Sequence, residues 1–298
     1  MTLPILTADD YGMTDGVSRS IEALAFMRRL SATSVMSTMP EWPAAALRLR
    51  HFRDRLSIGL HLNLTLGAPS VAMPHLTTAG AMPSLANLLR MSLLGRLDAS
   101  EIIDEIRHQL DAFERHLGFP PDHIDGHQHV QVLPVVRSAL LDELVKRYPT
   151  ARPLVRDPSD AADHLWSRGL AGAKVLTVRA LSAGFARAAR AHSVPVNDRF
   201  AGYSSFDTAI SYRNEITSEL DRTARDRRGI AVIMCHPAYP DAALAALDPV
   251  VERRQQEHDT LMQLEDLPDR IWHAARAPDG AMIDWHVVSA ANGAGSRT

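Results

Sequence analysis

Short apolar runs alternate along this chain with longer stretches of helical periodicity. Residues 3–8 form the first apolar run, which reads as a buried strand broken by Asp9-Asp10-Tyr11-Gly12. Val17, Ile21 and Leu24 then recur at helical spacing, with Thr14 as the N-cap candidate and Asp15 and Gly16 in the capping region. The same logic predicts strands at 32–38, 56–64, 123–128, 153–156, 229–235 and 282–288. Helices are predicted at 43–50, 99–117 (with Ser100 as its N-cap), 134–147, 208–227, 252–264 and 268–276. Residues 159–191 are rich in Ala and Arg and look helical, but Gly169, Gly172 and Gly184 interrupt them. Residues 68–83, rich in Pro, Gly and Ala, read as a long loop. Strand and helix alternate throughout, which predicts an α/β fold with parallel strands, expected here as a single distorted (β/α) TIM-like barrel. No repeat or linker divides the chain, so one domain is expected over 1–289, followed by a flexible tail at 290–298.

Composition narrows the class. The 298 residues suit one barrel, which typically takes about 250. Hydrophobic residues make up 46% and charged residues 22%, enough for a large core. The net charge of −3, with Arg152, Arg156 and Arg168 scattered and Arg227-Arg228 ahead of a strand, is a poor footprint for nucleic acid. Cys235 is the single cysteine, so intramolecular disulfides and thiolate zinc clusters are excluded. No apolar run reaches the roughly 18 residues of a membrane span, and the N-terminus lacks a basic segment followed by a long apolar one. A cytoplasmic location is the expectation.

Four predicted strands end in residues that bind metal or move protons: Asp9-Asp10, His61 with Asn63, Asp125 with His127 and His129, and His236. In a parallel barrel the C-terminal strand ends share one face of the molecule, which would bring these groups together. Alternation along an extended chain would put Asp125, His127 and His129 on one side. Asp9 and Asp10 would face opposite ways on an ideal strand, so their joint use demands a turn, for which Gly12 is suited. Adjacent carboxylates repel unless a cation or donors offset the charge. Taken alone, His61 is an ordinary core histidine and the Asp pair an ordinary turn; Cys235 is expected to be buried and inert. Together, Asp and several His at separate strand ends are a familiar way to hold a divalent hydrolytic ion.

These segments carry a resemblance. Thr7 to Met13 (TADDYGM), Gly59 to Thr65 (GLHLNLT), His123 to Val130 (HIDGHQHV) and Met234 to Pro237 (MCHP) occur in the order and spacing of the YdjC-like (ChbG/HpnK) carbohydrate deacetylases, which the chain resembles over roughly 3–240. The resemblance implies a distorted barrel, one divalent metal ion (Mg or Zn), an N-acetylated sugar substrate and a homodimer as the candidate assembly. It implies Asp10, His61 and His127 as metal ligands, Asp9 as general base and His236 as general acid. His129, Asp125, Asn63 and Tyr11 are then expected against substrate or behind the ligands. Two positions depart from the family pattern: Gln131 stands where a His is common, a change expected to alter substrate contacts, and Tyr11 where Phe is usual. Two rivals remain at this stage: another metal-dependent hydrolase such as a phosphoesterase, and a sugar-binding barrel without catalysis.

Overall fold

The structure is a computed structural model that describes residues 3–159, 172–204, 206–225, 229–274 and 281–293. The alternating pattern folds into seven strands: β1 (Ile5–Tyr11), β2 (Ala32–Val35), β3 (Ser57–Leu62), β4 (His123–Gly126), β5 (Leu154–Val155), β6 (Arg199–Ala201) and β7 (Ala231–Cys235). They form one sheet in the order β5-β4-β3-β2-β1-β7-β6, and every pairing is parallel. The strands are buried along almost their whole length, as expected where helices cover a parallel sheet.

Of the expected distorted TIM-like barrel, the structure shows a curled, parallel half-barrel of seven strands whose sheet is open between β5 and β6. An isolated parallel bridge, Val155 to Val196, joins its two edges. Asn197 reinforces that contact, accepting from Asp157 N and donating to Asp157 O. β5 and β6 are too short to add a ladder there.

The helices follow local chemistry closely. α1 (Asp15–Phe26) is capped by Thr14, whose hydroxyl accepts from Val17 N. Gly16 is required at its start, because a Cβ there would lie 2.3 Å from the carbonyl oxygen of Tyr239. A 19-residue helix, Ala99–Leu117, is capped by Asp98 rather than the expected Ser100, and it ends at Gly118 in the left-handed region. Its inner face carries Ile102, Ile106, Leu110 and Phe113 into the core, where Phe113 stacks on the buried Trp42. Its Glu101 and Glu105 accept backbone N–H groups from Ser70, Val71, His75 and Leu76, which ties the long loop down.

Two further expectations change. The strand at 282–288 is a helix, Trp285–Gly293, started by Asp284, whose carboxylate accepts from His286 N and Val287 N. Helices Leu85–Leu93 and Ala242–Leu247 and strand β6 were not read from the pattern, and the expected helix at 268–276 is one turn, Leu267–Arg270. Much of the Ala/Arg-rich stretch lies outside the described residues; the rest forms helices Gly172–Leu181 and Phe185–Ala191. No described helix is long and apolar enough to cross a membrane.

Candidate metal and catalytic site

Asp9 and Asp10 reach one site through a bulge. Ala8 pairs with Thr33 and Tyr11 with Val35, so two aspartates oppose the single residue Ser34. Asp10 takes φ 69°, a left-handed conformation that Asp tolerates better than most side chains. The turn that the sequence demanded is therefore made at Asp10 itself, and both carboxylates are buried.

Asp10 Oδ1 lies 3.2 Å from His61 Nε2 and 3.0 Å from His127 Nδ1. These three groups offer ligand atoms within 4.8 Å of one another. Ligands at right angles on bonds of about 2.1 Å sit about 3 Å apart, so the triad fits a divalent cation in spacing and in donor chemistry. His61 and Asp125 are register partners on β3 and β4, and Asp125 Oδ1 is 2.6 Å from His61 Nδ1. That bond directs Nε2 of His61 toward Asp10. Burial opposes charge on His61, but Asp125 and Asp9 outweigh it and push its pKa up to about 10. For Asp10, burial works against the carboxylate, yet Arg254 and His127 hold its pKa well below the usual range. Arg254 Nη2 donates to Asp10 Oδ2 at 2.6 Å and to Asp248 Oδ2 at 2.7 Å.

Asp9 has different neighbours. Arg156 grips it with both terminal guanidinium nitrogens, at 2.8 and 2.7 Å, and Nη1 also reaches Asp125 Oδ2 at 3.1 Å. Burial again opposes the charge, but Arg156, with His61, holds Asp9 far below the ordinary carboxylate range. His236 Nε2 is 3.9 Å from Asp9 Oδ2. Burial, and then Arg254, push the His236 pKa down to about 4, so the imidazole is neutral at pH 7. Its backbone N–H donates to Glu257 Oε2 at 2.5 Å.

The structure thus brings Asp9, Asp10, His61, Asp125, His127 and His236 together at the C-terminal ends of the strands. It does not do so by the alternation expected of 123–129. β4 ends at Gly126, and His127–Val132 is a 3-10 turn in which Gln128 (φ 54°) and His129 (φ 62°) are left-handed. Asp125, His127 and His129 therefore share no strand face. The His129 ring instead packs edge-on against Phe200 and Tyr203.

Three more expectations are corrected. Asn63 is fully buried and spends its amide on Thr38, Thr65 and Leu66, shaping the turn after β3. Tyr11 is fully buried and donates to Glu22 and the carbonyl of Ala45. Gln131, expected to alter substrate contacts, is buried and donates to the carbonyl of Arg156. None of the three lines the cavity. Cys235 is buried as expected, its thiol donating to Thr7 O and its pKa pushed up by burial.

Sequence reasoning missed Arg156, Arg254 and Glu257. Arg156 carried a usable signal, since it directly follows β5 at the same strand end as the other site residues. Arg254 and Glu257 sit on helix Val251–Gln263, among many charged residues, and nothing in the local pattern separates them.

A cavity of about 550 Å³ opens over this cluster. Its floor includes Asp9, Asp10, His61, His127, His236 and Arg254, and aliphatic side chains such as Leu85, Leu89 and Leu181 line it as well.

Fold and site together define a parallel α/β protein with a carboxylate–imidazole centre of cation-binding geometry at its strand ends. The chain belongs to the YdjC-like protein family, which it matches over residues 4–265. Chitooligosaccharide deacetylases of Yersinia pestis (strain Pestoides F) and Yersinia pseudotuberculosis serotype O:1b (strain IP 31758) are each 36% identical to it over 136 residues, 45% of this chain and 52% of theirs. The chain thus spans about half the length of the curated relatives it matches. A proposed cellobiose-phosphate cleavage protein from Enterococcus faecalis V583 shares the fold, with TM-score 0.71 over 96% of this chain and 98% of its own at 22% identity.

Proposed function

We propose that the protein is a metal-dependent hydrolase that removes the acetyl group from an N-acetylated amino sugar. The observation that carries this reading is the Asp10–His61–His127 triad, with Asp9 and His236 beside it in one cavity. The activity printed for the Yersinia relatives agrees with it. Asp10, His61 and His127 would hold one divalent ion, Mg or Zn. When bound, that ion supplies Lewis acidity at the acetyl carbonyl and toward the attacking water.

The protein's own residues divide the remaining work. Asp125 orients His61. Asp9 is anionic at any working pH and is fixed by Arg156 to receive the proton of the attacking water. A carboxylate held so low is a weak base and passes the proton on readily. His236 is neutral at pH 7 and its Nε2 is 3.9 Å from Asp9, so it acquires that proton and delivers it to the departing sugar amine. The C–N bond breaks, and acetate and a free amino sugar leave. The apolar wall restricts water around the reacting carbonyl.

A two-metal phosphoesterase is disfavoured by one observation. The second potential ligand group, Asp9, His61 and Asp125, shares His61 with the first, and Arg156 already bridges its two carboxylates, occupying oxygens a second ion would need. The test is acetate release from N-acetylglucosamine oligomers, with and without a chelator. Release that the chelator abolishes supports the reading. Phosphate release from sugar phosphates would replace it with the phosphoesterase, and glycan binding without turnover with the non-catalytic barrel.

A further inference from the structure

Two consecutive residues on the cavity wall, Gln128 and His129, hold left-handed backbone at φ 54° and 62°. Glycine adopts that region freely, whereas residues with a Cβ do so under strain, and such strain clusters at ligand clamps. Neither position is glycine. The His129 ring is clamped edge-on between Phe200 and Tyr203, each 5.8 Å away between centroids. Its Nδ1 is buried with no hydrogen-bond partner among the described residues. The clamp anchors the His129 end of the pair. Gln128, next to His127 in the chain, is exposed and lines the cavity. Among the described residues the Gln128 carboxamide makes no hydrogen bond.

A carboxamide has one acceptor oxygen and two N–H donors in a fixed plane. Neighbouring hydroxyls on a pyranose ring each donate and accept, so the two groups are complementary. Most of the other lining side chains away from the cation triad are apolar and offer no such match. We propose that Gln128 is a specificity-determining residue that hydrogen-bonds vicinal hydroxyls of the substrate sugar, and that the strained pair exists to present it. This rests on the deacetylase reading above and adds the residue that reads the glycan.

The test uses the full chain and tri-N-acetylchitotriose as the probe. Gln128→Gly removes both carboxamide and strain; Gln128→Ala removes the carboxamide and keeps a Cβ in the left-handed region. Both variants should raise KM about tenfold, with kcat within about twofold of the parent, as expected when the neutral hydrogen bonds to an exposed pair of substrate hydroxyls are lost. Only the Gly variant should match or exceed the parent in Tm. Calorimetry of the same trisaccharide on an Asp9→Asn background should show the same tenfold weakening. An unchanged KM and affinity in both variants would overturn the inference. So would a fall in Tm and kcat together without a change in affinity, which marks a purely structural turn. If the parent binds the trisaccharide but releases no acetate, the deacetylase reading fails while the calorimetric arm still decides the role of Gln128.

Discussion

Asp9 and Asp10 are neighbours in the chain, equally buried, and almost opposite in surroundings. Asp10 meets two imidazoles and shares a guanidinium with Asp248, so one of its oxygens faces soft nitrogen donors that a cation can join. Asp9 meets a guanidinium that takes both its oxygens, with a neutral imidazole at the margin. Burial penalises charge on both, and in both the partners win. The same residue type is thereby prepared to hold an ion at one position and to handle a proton at the next. A single bulge residue makes the difference, because without it the two side chains would point to opposite faces of β1.

Substitutions can break this comparison. The largest effect is expected from His61→Ala, which removes a nitrogen from the Asp10 side. It should lose the bound ion, read by metal analysis, and with it several kcal/mol of charge stabilisation, about 10³-fold or more in kcat/KM. Asp9→Asn should keep the ion and lower kcat roughly 10²- to 10⁴-fold. Equal metal loss in the two variants would erase the proposed division of roles. Arg156→Met leaves two carboxylates buried without their counter-charge and should destabilise the fold by about 3–5 kcal/mol in urea titration. Asp125→Asn frees the ring of His61 and should weaken metal affinity about 10- to 100-fold, measured by competition with a chelator.

A third buried carboxylate sharpens the contrast. Glu257 is as buried as Asp9, but its nearest cation, Arg253, contacts it only at 4.0 Å and pairs with Glu215. Burial therefore prevails over the His236 N–H and Arg253, and its pKa rises from 4.5 to about 7. Between those values the folded chain holds a proton that the unfolded chain has released. Stability from this group is full below about pH 4.5, falls as pH rises toward 7 and is level beyond, a change of roughly 3 kcal/mol. Glu257→Gln should flatten that part of the stability profile, measured by urea unfolding across pH 4 to 8. Asp9 contributes with the opposite sign, since its depressed pKa makes its stabilisation fade only as the solution turns strongly acidic.

The parallel α/β class, the helix at Ala99–Leu117 and the Thr14 cap were legible because they depend on neighbours in the chain: periodicity, capping side chains and turn residues. Asp9, Asp10, His61, Asp125, His127 and His236 could be proposed in advance because polar residues closing apolar strands stand out against their surroundings. What tertiary structure alone decided is how those groups are paired. Asn63 passed the same sequence test as His61, and Tyr11 came with the family resemblance, but both spend their polar atoms on turns and packing. Arg156 and Arg254, distant in sequence and ordinary in pattern, became the counter-ions of the two aspartates. The open edge of the sheet and the left-handed path through Gln128 and His129 were also beyond local reading. The physical reason is range. Backbone preference acts over a few residues, whereas buried charges must be matched by whichever partner the folded chain delivers across more than a hundred, and no local pattern encodes that delivery.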